Sequence, residues 1–158
     1  MPGPAVVPNI AREYVRWSDV DPVGITRYDA YMRFVELGED ALWRAAGLPV
    51  TVLQQQFAIW LPRKLLHVDY HARSRLGDRL AVVTYLSKLG ETSVTLQVDV
   101  MLDDARTLVA AAQLVLVCVT RDGFAKTPLP DEVRAAMRTL VCTSDEARAR
   151  AAATPPAR

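Results

Sequence analysis

The chain has 158 residues, 51% apolar and 23% charged, and its 19 Lys plus Arg against 18 Asp plus Glu leave a net charge of +1. That length suits one compact domain, which hides about 70% of its unfolded surface and folds without disulfides or a structural metal. The composition excludes disorder over most of the chain, and the charge balance argues against nucleic acid or an anionic membrane as partner.

Cys118 and Cys142 lie far apart and form no CxxC pair. With only His67 and His71 besides, the usual zinc spacings are missing, so no metal and no cofactor is expected. Reduced thiols in the cytoplasm are the expectation. The N-terminal MPGPAVVPNIAREY has no basic region before an unbroken apolar stretch, and Pro2, Pro4 and Pro8 interrupt it. Leu108–Val119, the longest apolar run, is broken by Gln113 and is too short to span a bilayer as a helix. Tails are expected over residues 1–9 and 142–158, the second with no large apolar residue to bury beyond its start and at most a frayed helix.

Within the remaining 10–141, Ile10–Trp17 reads as a first strand. Asp21-Pro22-Val23-Gly24 follows as a turn, with proline to fix one φ and glycine to allow a positive one. Thr26 stands three residues before Asp29, a capping-box pattern that predicts a helix from Arg27 or Tyr28. Phe34, Val35, Gly38, Ala41, Leu42 and Ala45 recur at three and four, and Gly47 with Pro49 ends the run. Met32, Leu37 and Trp43 lie off this stripe, so the helix, about 28 Å long at 1.5 Å per residue, is expected to be enclosed.

Beyond it the period becomes two. Leu80, Val82 and Thr84 alternate with their neighbours, as do Val94, Leu96, Val98, Val100 and Leu102. Leu108–Val119 is apolar on both faces, as in a central or interface strand, and Phe57–Tyr70 supplies a fourth strand. Asp103-Asp104 and Asp122-Gly123 mark hairpin ends, and a short helix is expected over Asp131–Leu140. The order, one strand, a long helix, then four strands, predicts an α+β fold with an antiparallel sheet packed on that helix.

The run Arg16-Trp17-Ser18-Asp19-Val20-Asp21-Pro22-Val23-Gly24-Ile25, then Tyr28, Tyr31 and Glu36, resembles the signature of the 4-hydroxybenzoyl-CoA thioesterase family. Asp69-Tyr70, the Leu76-Gly77-Asp78 turn and Leu129-Pro130 before Val133 fit the same pattern. The resemblance implies a hotdog fold and homodimers or homotetramers built from sheets joined edge to edge. It also implies hydrolysis of an acyl thioester, with Asp21 as the catalytic carboxylate and the Tyr28 backbone amide holding the thioester oxygen.

Elementary chemistry agrees with those roles. A helix start presents unpaired N–H groups and partial positive charge to an oxygen gaining negative charge. A carboxylate just before it can attack the thioester carbon or activate water. Pro22 holds Asp21 extended, and a thiolate leaves without a strong general acid.

Each residue also has a plainer reading. Asp21 can serve as a turn residue that binds backbone amides, Asp19 reads as structural, and Asp29 as the capping partner of Thr26. Glu36 is the second catalytic candidate, because another hotdog branch is implied to place its carboxylate eight residues after the oxyanion amide. His67 and His71 share a strand face without forming a metal set. Trp17, Tyr31, Trp43, Phe57 and Trp60 are expected in the core, with Trp17, Tyr31 and Trp60 as candidates for contact with the acyl group. Lys88, Arg121 and Lys126 are candidates for CoA phosphates, but Glu91 beside Lys88 weakens that basic cluster. The expected partner is therefore an acyl-CoA or an acyl carrier protein thioester, with a non-hydrolytic acyl binder as the reading from another class.

Overall fold

In the computed structural model, which describes residues 7–156, one face of a five-stranded antiparallel sheet packs on a helix. The strands run β1-β4-β5-β6-β3 across the sheet, with β1 Asn9–Tyr14, β3 Arg63–Tyr70, β4 Arg79–Leu89, β5 Ser93–Leu102 and β6 Leu108–Val117. The period-two patterns account for the register. Val82 pairs with Val100 and Thr84 with Val98, which puts one apolar set of β4 and β5 on the face toward helix α1, Tyr31–Ala45.

Helix and sheet approach closely at Gly38. A Cβ there would collide with Thr84 Oγ1 and stand 2.8 Å from Val82 Cγ1. Gly38→Ala is therefore expected to destabilise the fold by about 1–3 kcal/mol through overpacking. In urea unfolding the midpoint should fall with an unchanged slope; an unaltered midpoint would show that the helix shifts freely.

Several expectations need correction. The first strand ends at Tyr14, where its pairing with Arg79 ends, and Trp17–Asp19 forms a 3-10 turn because the Asp19 carboxylate accepts the Arg16 N–H at 2.8 Å. The long helix starts later than the capping box predicted, at Tyr31, after a 3-10 turn over Tyr28–Ala30. Thr26 sits in a bridge to Val20 and turns its hydroxyl to Ser74, while Asp29 pairs with Arg27, so neither caps the helix.

Phe57–Tyr70 is not one strand. A helix α2, Val50–Gln55, precedes it, and β2, Ile59–Trp60, pairs with β7, Val119–Thr120, as a separate ribbon before β3. Pro62, which has no N–H to give, stands at the break. Leu108–Val119 likewise divides at Cys118, whose thiol burial pushes up to about 11, leaving it a packing residue.

After helix α3, Asp131–Arg138, residues 144–153 form helix α4, Ser144–Ala153. A real capping box starts it: Thr143 Oγ1 accepts the Glu146 N–H and Glu146 accepts the Thr143 N–H. Ala147 and Ala151 are fully buried and Arg148 reaches Asp99 at 2.8 Å, so this segment has something to bury after all. At the other end, Asn9 belongs to β1 and Val7 is buried, while the rest of the expected N-terminal tail, residues 1–6, lies outside the described residues.

Among the described residues no helix is long and apolar enough to cross a membrane.

Candidate active site

Asp21 lies in the loop between β1 and α1, half-buried. Its Oδ1 accepts the N–H groups of Val23 at 2.9 Å and Ile25 at 3.2 Å, and Gly24 takes the expected positive φ of 83°. The turn reading is thus correct as far as it goes. It uses one carboxylate oxygen only; Oδ2 receives no hydrogen bond from the described residues. Pro22 is exposed at the outer edge of the loop.

An open cleft of about 820 Å³ joins Asp21 to Tyr28, Tyr31, Tyr70, His71 and Arg73. At its wall, Arg27 N–H donates to Asp19 O and Ala30 N–H to Arg27 O, while the Tyr28 N–H has no acceptor among the bonds of the described residues. The Tyr28 carbonyl accepts the Tyr70 hydroxyl at 2.9 Å. Tyr31 is buried and meets Tyr70 edge to face at 5.4 Å, so the tyrosines form one side of the cleft.

The loop is anchored from below by Asp19, which is 4% exposed. Arg33 Nε donates to its Oδ1 at 3.1 Å and a second guanidinium nitrogen donates to Oδ2. Burial pushes the Asp19 carboxyl up, but the hydrogen bonds from Arg33 and the Arg16 amide outweigh it and hold the group below its ordinary value. Its structural reading fits.

Glu36 does not reach this cleft within one chain. It lines a second cavity of about 390 Å³ with Glu39, Trp43, Trp60, Arg63 and Phe124. Trp60 stacks on Phe124 there with centroids 6.5 Å apart, and buried Glu39 accepts Arg63 at 2.6 Å and the Trp43 indole N–H at 3.3 Å. The two cavities sit at opposite ends of β3, since Tyr70 lines one and Arg63 the other.

Most other candidates fall outside both cavities. Trp17 is 81% exposed, not a core residue, because its 3-10 turn leaves the sheet. Lys88 and Lys126 are exposed away from the cleft, and Arg121 is engaged with Asp122 at 2.9 Å and with the Gln54 carbonyl. His67 pairs with Asp69 on exposed β3, whereas His71 lines the cleft. No group of three or more His, Cys, Asp or Glu among the described residues is arranged to hold a metal.

Sequence reasoning missed Ser74, Glu39, Arg63 and Phe124. Glu39 had a faint signal, a carboxylate four residues before Trp43 on one helix face; the others had none.

An antiparallel sheet packed on one long helix is the hotdog class of α+β fold. The chain belongs to the thioesterase-like superfamily, whose sequence profile matches residues 15–137. Among solved structures it is similar to a thioesterase superfamily protein from Jannaschia sp. CCS1, with 23% identity, 90% of this chain and 99% of that chain covered, and a TM-score of 0.79. It is also similar to a 1,4-dihydroxy-2-naphthoyl-CoA thioesterase from Synechocystis, with 19% identity, 82% and 94% covered, and a TM-score of 0.73. A third, a hypothetical protein from Thermus thermophilus, shares 20% identity over 87% of this chain and all (100%) of that chain, with a TM-score of 0.76. No curated protein matched the chain in a sequence search.

Proposed function

We propose that the protein hydrolyses an acyl thioester, in the manner of the 4-hydroxybenzoyl-CoA thioesterase branch. The observation that carries this reading is the single cleft lined by both Asp21, whose Oδ2 accepts no hydrogen bond from the described residues, and Tyr28, whose amide has no acceptor among them. Oδ2 attacks the thioester carbon, or removes a proton from a water that does so. The carbonyl oxygen takes the negative charge and the Tyr28 N–H donates to it. The thiolate then departs. In the nucleophilic route a water cleaves the resulting anhydride, so either route consumes one water and yields acid and thiol.

The cleft of one chain is open, and in this reading a second copy completes its wall. β3 is a sheet edge with Leu65, Leu66 and Tyr70 exposed at 45%, 46% and 51%, which favours pairing with a second copy. Antiparallel pairing about its middle, over about 25 Å of strand, brings the partner's Arg63 end beside this chain's Tyr70 end. The partner's Trp60 and Phe124 then wall the acyl group, and the partner's Glu36 faces it. Leu66→Lys should turn a dimer into a monomer by light scattering and lower activity at least tenfold, with the circular dichroism spectrum kept. A dimeric, active variant would remove β3 from the interface.

The thiol carrier is coenzyme A in this reading, and the Synechocystis neighbour is named for a CoA ester. A phosphopantetheine arm on a carrier protein is the second reading, favoured by Arg121 being tied to Asp122 and by Glu91 three residues from Lys88. Turnover of matched acyl-CoA and acyl carrier protein esters decides between them. Hydrolysis of neither, with acyl ligands still bound, would replace the enzyme by a binding protein.

A further inference from the structure

Ser74 lies in the connection between β3 and β4 and is fully buried, yet its hydroxyl faces two others. Thr26 Oγ1 stands 2.6 Å from Ser74 Oγ, and Tyr31 OH stands 3.2 Å from it. The Ser74 carbonyl accepts the Thr26 N–H at 2.9 Å and its hydroxyl at 3.3 Å. One assignment of protons satisfies the whole set. Tyr31 donates to Ser74 Oγ, Ser74 donates to Thr26 Oγ1, and Thr26 donates to the Ser74 carbonyl. Every hydroxyl proton is used, and the chain of bonds runs in one direction.

These bonds clamp both ends of the short segment that presents the Tyr28 amide. Thr26 precedes that amide by two residues and Tyr31 follows it by three. Both side chains line the cleft, while Ser74 sits behind them. The clamp continues outward, where Ile25 bridges to Arg75 and Leu76 N–H donates to Gly24 O at 3.3 Å. The helix start has no side-chain cap of its own, so its direction depends on this external support.

We propose that Ser74 is a positioning residue that aims the Tyr28 amide into the cleft through Thr26 and Tyr31. This rests on the thioesterase reading above. An amide aimed at an oxygen that becomes negative only in the transition state affects kcat and leaves substrate binding nearly untouched.

The test compares wild type with Ser74→Ala, Thr26→Val and Thr26→Ser, with rates normalised to the folded fraction and amide hydrogen exchange followed over residues 21–31. Ser74→Ala and Thr26→Val should each lower kcat about tenfold with KM within about twofold, and together should lose no more than either alone. Thr26→Ser keeps the hydroxyl and should keep the rate. Exchange over residues 21–31 should quicken in the first two variants only. Unchanged exchange in Ser74→Ala overturns the positioning role whatever the enzyme does. So does an unchanged kcat in an active enzyme. A wild type inert to every ester overturns instead the thioesterase reading, and the positioning of an oxyanion donor falls with it.

Discussion

Asp21→Asn is expected to lower kcat by about 10²–10⁴-fold while the protein stays folded. The reason lies in how the two carboxylate oxygens divide. Oδ1 holds the loop through Val23 and Ile25, and an asparagine oxygen accepts those bonds equally well. Oδ2 is free to react, and an amide nitrogen in its place neither attacks a thioester nor takes a proton from water. Thermal midpoint and cleft shape should therefore stay near wild type while turnover of the best ester collapses. Full turnover in Asp21→Asn would move the chemistry to Glu36, and Glu36→Gln would then be the inactive variant.

Arg33→Leu should cost about 3 kcal/mol of stability, because it leaves a buried carboxylate unpaired. For a chain of this size that corresponds to a fall in Tm of roughly 6–12 °C. Asp19 keeps the Arg16 N–H but loses the guanidinium that also donates to the Tyr14 carbonyl. The pH dependence separates this cause from lost packing. The folded Asp19 pKa lies below the ordinary value of 3.8, so its contribution is complete above that value and fades as pH falls through the lower folded one. In the variant only Arg16 is left to oppose the burial, so the carboxyl rises from its place in the wild type. The gap between the two proteins should thus be widest near neutral pH and narrow in acid. A gap equally wide below pH 4 would assign the loss to Arg33 packing on Phe34, where its guanidinium lies 4.4 Å from the ring centre.

What was legible in the sequence was local. The alternation in β5, the stripe of α1 and the Asp-Pro-Val-Gly turn each state their structure within about ten residues, and all three formed. Thr26 and Asp29 also made a local statement, and it failed because Ser74, 48 residues away, offered Thr26 a better partner. Glu39 and Arg63 meet only once the start of β3 is brought within reach of the helix, so nothing in either neighbourhood announces the pair. Helix α4 was unreadable for a different reason. Its buried residues are alanines, which bury too little apolar surface to mark a stripe, although Thr143 and Glu146 carried a capping signal that went unused.

That helix has a consequence for the order in which the chain is made. Arg150 of α4 donates to the carbonyl of Val7, just before β1, at 2.7 Å, and Arg12 of β1 donates to the carbonyl of Thr154, just after α4, at 3.0 Å, so the two ends of the described chain hold each other. During synthesis β1 emerges early but finds β4 only about 70 residues later and α4 about 140 residues later. Contacts of such long reach form slowly. While the chain is still being made, β1 is an edge strand without its neighbours, and the nascent protein at that stage is the form most exposed to chaperones and to aggregation.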